Sequence, residues 1–547
     1  MALVLVPIAG AAVVALVVFL LDRLLNLPHD PQEPPLVRPK IPLIGHVIGL
    51  LRHGTRYYSM IAEECKQPIF TLGVPRGKMY IVTSPGLIAA CDRRSKVVSF
   101  APYVVEFGKR ILAGSEHSVR LLSEDLLEEK EEAKGSGGDG SSSSSSLRPE
   151  TMAAMHRSQA PGEHLDALMR VALRSAATHI DSIIGDAAAQ GAAGVPLFGW
   201  VRQFMTRAGT DAVYGEEKNP FRDPEVAESF WAVDRDFALL GLMVLPDLLA
   251  PRGSRGRKRF FRAFREYYAS GGLETASYLI KARYEVNKKY GVSDEDIARF
   301  DLGVCTALLV NTAPAVGWTL CHAYSDRALL AELRRGIDAA VFPGGAPQTA
   351  AAVDVTVNIC EVAEALPLLE SFVREVLRVQ SNSASARFVL RDTVLDEGGG
   401  GGGAGGRRYL VKAGSFLGMP SAPVHSDEAV WGPTARSFDP TRFLPERQKE
   451  RKVPASAWRT FGGGNALCPG RHLALREIMS VLVIMVLRFD LEPCEDGGRW
   501  EMPAKRHHIS TSILTPVDDI RVRVRPRKEL ARVTSWNFVW EPTAPKE

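Results

Sequence analysis

The chain has 547 residues, of which 46% are hydrophobic and 24% are charged, and its formal net charge is +4. This balance provides enough apolar material for a large core, and so small a charge gives no support for nucleic-acid binding, which depends on concentrated basic faces. The seven cysteines are odd in number and widely scattered, which favours reduced thiols in the cytosol over a secreted disulfide framework.

The first predicted element is a membrane anchor over residues 1–22. Residues 2–21 read ALVLVPIAGAAVVALVVFLL and carry no charge, a length that crosses a bilayer core as a helix. The alternative is a cleaved signal peptide, but no Lys or Arg precedes the run and no small-residue cleavage site follows it. Arg23, Arg38 and Lys40 come next, so the positive-inside tendency predicts a single-pass protein whose bulk is cytosolic. The endoplasmic reticulum is the expected membrane.

A proline-rich tether is predicted over residues 23–45, because prolines cannot continue a helix and favour a stiff extended chain. Residues 46–547 are then expected to form one domain, since no change in composition marks a second. Two low-complexity insertions interrupt it, KGSGGDGSSSSSS at 134–146 and GGGGGGAGG at 398–406. The first cannot bury enough apolar surface to order itself, and the second is expected to be an extended hairpin loop. Surface loops tolerate added length at small cost, so neither is assigned any chemistry.

The spacing of apolar residues predicts a helix-rich middle with strands near both ends. Residues 68–74 and 78–84 alternate like a hairpin, and the last strands are expected within 509–516 and 519–526. Helical spacing covers five segments, at 161–186, 257–287, 294–324, 366–380 and 470–488. The expected fold class is therefore mainly α with smaller β-sheets (α+β).

A glycine-rich loop carries a single cysteine directly before the last long helix, in FGGGNALCPGRHLALREI at 461–478. Glycines let a backbone approach a flat ligand closely, because no Cβ intervenes. Cys468 precedes a helix that begins near Pro469, and the partial positive charge of a helix N-terminus favours thiolate. No second Cys or His lies at ligand spacing, so a structural zinc site is not expected. An iron held by a macrocycle needs only one protein ligand, and thiolate is a known choice; the alternative is a buried, inert cysteine.

This loop resembles the haem-binding signature of the cytochrome P-450 family. The match consists of five residues in the family's order, Phe461, Gly464, Cys468, Gly470 and Ala474. The resemblance extends over essentially everything after residue 40. It implies the cytochrome P-450 fold, preceded here by the transmembrane helix, and haem b with Cys468 as the axial ligand to the iron.

Three charged residues elsewhere strengthen the resemblance. Glu375 and Arg378, in ESFVREVLR, lie three apart and share a helix face, and Arg442 lies in FDPTRF. In the family such residues form a network that braces the proximal side of the haem, and buried charges need partners of this kind. The PLIGH segment after the anchor and His425 also resemble family landmarks.

Two positions on the haem-binding side depart from the family. Ala466 stands where a basic residue usually meets a haem propionate, and no Trp lies between 100 and 199, so the usual Trp-x-x-x-Arg contact is missing or replaced. Arg387, in SARFVLRD, resembles another propionate-binding arginine of the family. The alternative for Arg387 is a solvated strand residue.

The segment LGVCTALLVNTAPAVGWTL, at 302–320, resembles the long helix that crosses the distal haem face. Most members have an acid followed by threonine there, whereas this chain has Asn311 and Thr312, which we expect to guide protons. The alternative is that both are polar helix residues satisfied by neighbouring carbonyls. Pro314 is expected to open a groove by removing the bond to the Val310 carbonyl. With Trp318, the pattern resembles the branch of sterol hydroxylases and prostacyclin synthase, which leaves the reaction type open.

The resemblance implies a membrane-anchored haem-thiolate monooxygenase that oxidises a lipophilic steroid, terpenoid or polyketide with O2. Electrons are expected from NADPH through a separate flavoprotein reductase, for which Arg471, His472 and Arg476 either form a docking face or are simply solvated. The Gly and Ser insertions resemble those of filamentous-fungal members in secondary metabolism. One alternative is an isomerase or dehydratase that rearranges a peroxide or epoxide without external electrons. Another is a non-catalytic haem-binding sensor or carrier.

Overall fold

The computed structural model of the chain describes residues 29–41, 44–75, 77–133, 146–189, 194–345, 353–397, 407–506 and 511–542. The predicted anchor over 1–22 lies outside the described residues, as do the insertion at 398–406 and all but the last residue of the insertion at 134–146. All seven cysteines lie within the described residues and are free thiols.

The described helices, numbered in chain order, are α1 Gly45–His53, α2 Arg56–Cys65, α3 Pro85–Arg93, α4 Ala101–Arg110, α5 Glu116–Ala133, α6 Leu147–Gln159, α7 Glu163–Ala189, α8 Leu197–Tyr214, α9 Pro224–Arg235, α10 Phe237–Leu242, α11 Pro246–Leu249, α12 Pro251–Ala269, α13 Tyr278–Lys289, α14 Asp294–Leu309, α15 Thr312–Ser325, α16 Arg327–Val341, α17 Ile359–Ala365, α18 Leu368–Gln380, α19 Ser421–His425, α20 Glu428–Trp431, α21 Pro445–Arg451 and α22 Arg471–Arg488.

The described strands are β1 Leu36–Val37, β2 Ile69–Val74, β3 Gly77–Val82, β4 Val98–Ser99, β5 Val195–Pro196, β6 Val353–Asn358, β7 Ala384–Val389, β8 Thr393–Asp396, β9 Arg408–Val411, β10 Phe416–Pro420, β11 Phe489–Pro493, β12 Lys505–Arg506, β13 Thr515–Pro516, β14 Arg521–Pro526 and β15 Val533–Val539. The predicted fold class, mainly α with smaller sheets, is confirmed.

The largest sheet has the strand order β1-β2-β3-β10-β7-β4. The predicted hairpin at 68–84 is confirmed, because β2 and β3 pair antiparallel. Strand β10 runs parallel to β3 and antiparallel to β7, with Leu417 opposite Arg387. Strands β8 and β9 pair antiparallel on either side of the insertion at 398–406. Strand β10 therefore lies between Arg387 on β7 and the N-terminal hairpin formed by β2 and β3.

Helix α22 forms the centre of the core. Every residue from Glu477 to Leu487 is buried, and a helix that is apolar on all sides must be enclosed by protein. It packs against α7, α15, α16 and α18. The loop that carries Cys468 therefore ends on the most firmly enclosed helix of the fold.

The predicted helix at 257–287 is instead two helices, α12 and α13. Gly271 adopts φ +77°, a left-handed conformation that glycine takes without strain, and a short 3-10 turn follows at Gly272–Glu274. A Cβ at Gly272 would collide with the ring of Tyr267. Apolar spacing continues across this point, so periodicity alone did not reveal the break.

The predicted helix at 294–324 is interrupted between α14 and α15. Ser293 caps α14 by accepting a hydrogen bond from the Asp296 N–H, and the helix ends at Leu309. Pro314 has no N–H for the carbonyl of Val310, so the ladder is broken there. Asp294–Ser325 is the one stretch of the described residues long and apolar enough to span a membrane, and 78% of its most apolar window is buried inside the protein. The apolar side chains of this stretch are therefore part of the protein's core.

Candidate active site

The loop from Phe461 to Gly470 is closed by its own backbone. The Cys468 N–H donates to the Phe461 carbonyl at 2.9 Å, and the Leu467 N–H donates to the Gly464 carbonyl at 3.2 Å. Gly462 and Gly464 adopt φ +74° and +61°, which favours glycine at both positions. The turn presents the Cys468 thiol just before α22 begins.

The Cys468 thiol is half-buried and lies in a polar setting. Burial raises its pKa, while the backbone N–H of Gly470 on the sulfur and the charge of Arg471 act in the opposite direction. Within the described residues, no group of three or more His, Cys, Asp or Glu side chains is placed to hold a metal ion. Cys468 is therefore a single thiol whose anion would be stabilised by an N–H donor and a nearby cation.

Gln159, at the end of α6, is a neighbour of this loop that sequence reasoning missed. A Cβ added to Gly470 would lie 3.0 Å from the Gln159 Oε1 and 3.8 Å from the Cys468 sulfur. Gln159 is buried, and its Nε2 donates to the Met155 carbonyl. Gly470 therefore permits α6 to approach the thiol closely.

The structure brings Glu375, Arg378 and Arg442 into one buried cluster. Arg378 donates to both Glu375 oxygens at 2.7 Å, and the Arg442 Nε lies 3.1 Å from each of them. None of the three side chains is more than 2% exposed. The remaining guanidinium donors bond to backbone carbonyls, including those of Ala435 and Thr434. Each buried charge is thus both paired and hydrogen-bonded, as low-dielectric surroundings require.

His425 connects this cluster to the cysteine loop. Its Nδ1 donates to the Arg378 carbonyl at 2.9 Å, and its Nε2 accepts the Arg459 backbone N–H at 2.9 Å. Burial lowers the pKa of His425 to about 3, so the ring is neutral at physiological pH and this tautomer is fixed by its partners. Arg459 lies two residues before Phe461. The end of α18 is thereby linked to the start of the loop.

Two buried arginines flank the glycines of the loop. Arg459 donates to Asp92 of α3 at 2.6 Å, and Arg387 donates to the Gly463 carbonyl at 3.1 Å. Among the described residues, Arg387 forms no ion pair with a carboxylate. Burial lowers its pKa to about 10; the nearby Asp92 carboxylate acts in the opposite direction, and the charge of Arg459 acts in the same direction as burial. The site therefore holds two buried cations and one nearby carboxylate, an excess of positive charge.

Sequence reasoning identified Arg387 but missed Arg459 and Asp92. Asp92 and Arg459 are separated by 367 positions, and no motif joins them. A Cβ at Gly463 would collide with the Arg459 guanidinium and lie 2.8 Å from Asp92. The only local signal was a charged residue directly before a glycine-rich turn, in AWRTFGGG.

Asn311 and Thr312 form a second cluster, at the junction of α14 and α15. The Asn311 Oδ1 accepts the backbone N–H groups of Ser512 and Ile513 at 2.8 and 3.1 Å. The expected alternative, bonding to carbonyls of the same helix, does not describe these contacts. Thr312 is buried beside it. Ser381 joins the two clusters, because its hydroxyl donates to Thr460 at 3.2 Å and its backbone bridges to Ile513.

Comparisons with known proteins identify the family. A sequence model of the cytochrome P-450 family matches residues 259–521. Cytochrome P-450 monooxygenase nodJ of Hypoxylon pulicicidum is 34% identical to the chain over 517 residues, which cover 93% of this chain and 92% of that protein. The chain belongs to the cytochrome P-450 family.

Two further relatives extend this assignment. A cytochrome P-450 monooxygenase of Gibberella zeae is 26% identical over 525 residues, 94% of this chain and 92% of that protein. The 25-hydroxycholesterol 7-alpha-hydroxylase of Rattus norvegicus is 29% identical over 229 residues, 40% of this chain and 52% of that protein. The predicted relationship to sterol hydroxylases is confirmed. The protein is an oxidoreductase of the cytochrome P-450 monooxygenase type, which uses O2, a small-molecule substrate and a redox partner.

Cytochromes P-450 bind haem b through a cysteine thiolate, so haem b is the cofactor implied for this chain. The described residues fit such a group in three respects. Gly462 and Gly464 remove side chains from the loop, the Gly470 N–H faces the Cys468 sulfur, and Arg387 is a buried cation that forms no ion pair among the described residues and shares the single nearby carboxylate of Asp92 with Arg459. A flat macrocycle that holds an iron ion and bears carboxylate groups suits all three: the iron suits the thiolate, the flat ring suits the loop without side chains, and a carboxylate suits the guanidinium.

Proposed function

We propose that this cytochrome P-450 is a membrane-anchored monooxygenase in which Cys468 holds the haem iron and a lipophilic substrate is oxidised with reductase-delivered electrons. The observation that carries the proposal is that the Cys468 thiol is held in place by hydrogen bonds and a buried ion cluster. Cys468 lies at the end of a closed glycine-rich loop, and the Gly470 N–H donates to its sulfur. His425 connects that loop to the Glu375–Arg378–Arg442 cluster through hydrogen bonds. A ligand held this rigidly keeps its geometry through the reaction.

The residues of this chain have distinct roles in the proposal. Bound haem supplies the iron at which dioxygen is activated. Cys468 binds the iron as thiolate, the Gly470 N–H stabilises that charge, and Phe461 and Gly464 shape the loop around it. Arg387 binds a propionate, which supplies the anion that its buried guanidinium lacks. Glu375, Arg378 and Arg442 hold the loop in position through the two hydrogen bonds of His425.

Proton delivery is assigned to the junction of α14 and α15. A monooxygenase must supply protons on the distal side, and general-acid assistance is typically worth about 10²–10⁴-fold. The amide of Asn311 and the hydroxyl of Thr312 can hold ordered water for this purpose without a carboxyl group. We expect Asn311→Ala and Thr312→Val to consume more NADPH for each product molecule, because reduced oxygen escapes before it is used.

A steroid, terpenoid or polyketide substrate fits the relatives that are matched. Two of them are named fungal monooxygenases, and another is named for hydroxylation of 25-hydroxycholesterol. The fungal matches and the Gly and Ser insertions together favour a role in fungal secondary metabolism. The flavoprotein that supplies electrons from NADPH would approach the side of Arg471, His472 and Arg476, which are half-buried near Cys468.

Membrane attachment at the endoplasmic reticulum is supported by exposed apolar side chains as well as by the predicted anchor. Leu242, Leu245 and Leu248, in and between α10 and α11, are 59%, 65% and 71% exposed. Exposed apolar patches commonly mark contact with another apolar surface. Helix α12 follows with exposed Arg252 and Arg255, and basic side chains beside an apolar patch suit an anionic membrane surface.

The test is turnover of the purified full-length protein with reductase and NADPH against a panel of steroids, terpenoids and polyketides under ¹⁸O2. One labelled oxygen atom in the product supports a monooxygenase. Product formed without NADPH and reductase, and without label, would instead establish the rearrangement of a peroxide or epoxide. Haem binding with no product from any substrate class would favour a sensor or carrier.

A further inference from the structure

The segment Thr511–Leu514, here called the strap, crosses the break between α14 and α15 without belonging to a strand. Ile513 and Leu514 are buried. A buried backbone outside a helix or sheet must find partners for its N–H and C=O groups elsewhere. The strap is therefore a segment whose position depends on particular side chains.

One side chain satisfies two of these groups. The Asn311 Oδ1 accepts both the Ser512 and the Ile513 N–H groups. In the middle of α15, the Trp318 Nε1 donates to the Leu514 carbonyl at 2.6 Å. Three successive residues of the strap are thus attached to α15 and to Asn311, the residue before it.

The opposite side of the strap is fixed by the chain that follows α18. The Asn382 N–H donates to the Ser512 carbonyl at 2.8 Å, and Ser381 bridges to Ile513. Ser381 also donates to Thr460, the residue before the cysteine loop. The strap therefore spans the gap between the α14–α15 junction and the segment that leads to Cys468.

We propose that Asn311 is a positioning residue whose carboxamide oxygen sets the distance between α15 and the strap, and so fixes one wall of the substrate pocket. Because the oxygen is held by two N–H groups, the amide nitrogen is left pointing away from the strap in a single orientation. The statement about the pocket rests on the proposed function, which puts this junction on the distal side of the haem. The two hydrogen bonds by which Asn311 holds the strap, here called the clamp, do not depend on the proposed function.

Two substitutions separate the clamp from the amide donor. Asn311→Ala removes both, whereas Asn311→Asp keeps an oxygen acceptor for the two N–H groups and loses the amide donor. Asn287→Ala is the control, because Asn287 is an asparagine of α13 whose side chain likewise bonds to the backbone: its Nδ2 donates to the Arg283 carbonyl at 2.7 Å. Its loss leaves the strap's partners in place.

The first measurement is backbone hydrogen exchange in the full-length, haem-loaded protein, followed in peptides that contain residues 511–514. We expect exchange of Ser512 and Ile513 to be faster by about tenfold or more in Asn311→Ala, because both N–H groups lose their acceptor. Asn311→Asp and Asn287→Ala should match the parent protein. Unchanged exchange in Asn311→Ala would overturn the clamp.

The second measurement is spectral titration of the same proteins with imidazole and with the bulky azole clotrimazole. A displaced wall changes the fit of a large ligand and spares a small one, so Asn311→Ala should shift the affinity for clotrimazole by about fivefold and leave that for imidazole unchanged. Recovery in Asn311→Asp supports positioning by the oxygen. Equal effects of both substitutions would overturn it in favour of the amide donor. If neither azole perturbs the haem spectrum of the parent protein, the proposed function fails, while hydrogen exchange still decides the clamp.

Discussion

Glu477 lies in α22 and forms no ion pair with any described residue. It is buried, and its Oε1 has no hydrogen-bond partner among the described residues. The side chains around it are apolar ones from α7 and α8, such as Met169 and Met205, together with Ser480 of its own helix. Burial raises the pKa of Glu477 to about 8, so the folded protein holds this carboxyl neutral at pH 7.

Glu477 is therefore expected to make stability depend on pH. The folded state keeps the proton up to about pH 8, whereas the unfolded chain releases it near the ordinary pKa of 4.5. Its contribution is most favourable below pH 4.5 and is lost as the pH rises to about 8. Since one pKa unit corresponds to about 1.4 kcal/mol, Glu477→Gln should raise the free energy of unfolding at pH 8 by about 1–3 kcal/mol. Denaturant unfolding of both proteins at pH 5.5 and 8 measures this, and equal pH dependence would contradict it.

Cys468 is expected to be the one thiol that the haem spectrum requires. Cys468→Ala should abolish the thiolate-type carbon monoxide spectrum, because no other cysteine lies in the closed loop, while expression is retained. Cys65→Ala is the matched control, since Cys65 is also a partly buried free thiol. Retention of the spectrum in Cys468→Ala would show that another cysteine binds the iron.

At the scale of elements, Arg442 connects the segment after α20 to α18. Arg442→Ala leaves the Glu375–Arg378 pair but removes a donor that lies 3.1 Å from both Glu375 oxygens. Removal of one partner from a buried ion-pair network costs about 3–5 kcal/mol, so we expect poor haem retention and a lower melting temperature.

The control for this prediction is Arg447→Ala. Arg447 pairs with Asp439 at 2.9 Å, but its side chain is 51% exposed, and exposed pairs contribute about 0–1 kcal/mol. Haem content and thermal unfolding should therefore be unchanged. A normal melting temperature for Arg442→Ala holoprotein would count against the network as a brace.

The predictable elements were those whose signal is local. Strands β2 and β3 alternate within a few residues, and α22 is apolar over a long run, so both were predicted near their observed limits. The break before α15 was foreshadowed by Pro314, because a missing N–H has a fixed effect on the helix. Glu375 and Arg378 lie one turn apart, which made their pairing evident.

The remaining features depend on residues far apart in the chain. The Arg459–Asp92 pair joins α3 to the cysteine loop, and the sequence around neither residue indicates that the two form a pair. The strand predicted within 509–516 is wrong for the strap, and of the described residues in that segment only Thr515–Pro516 forms a strand. The side chains of Asn311 and Trp318 bond to the strap in place of a neighbouring strand. Asn311 was expected either to guide protons or to bond to neighbouring carbonyls, so it was not recognised as an acceptor for backbone N–H groups of a distant segment.

At the scale of the whole molecule, attachment to the membrane is expected to involve two parts of the chain. Deletion of residues 1–25 should release part of the protein from membranes and leave haem binding intact, because the cysteine loop and the Glu375–Arg378–Arg442 cluster are held by hydrogen bonds to one another and to α3 and β7. Flotation with vesicles that contain anionic lipid, together with haem content, measures both. Loss of all haem from the truncated protein would show that the boundary of the catalytic domain is wrong.

The remaining attachment should depend on the exposed apolar patch. In the truncated protein, Leu242→Glu with Leu248→Glu is expected to abolish binding to the vesicles, because burial of each leucine is worth about 1.5–3 kcal/mol. Met502→Glu with Val517→Glu is the control, since these side chains are 44% and 42% exposed outside the patch. Equal loss of binding in both double variants would argue against a specific surface.

The excess positive charge between Arg387, Arg459 and Asp92 also bears on how the cell makes this protein. A newly made chain that folds before it meets haem must keep two desolvated guanidinium groups beside the single carboxylate of Asp92, which opposes closure of β7 against the cysteine loop. In the proposed role of Arg387, the haem propionates would supply carboxylates at that point, so that cofactor and chain would complete the same structure. We therefore expect this region to open first, and to become accessible to proteases, when haem is scarce. The supply of haem is then expected to set how much of the newly made protein survives.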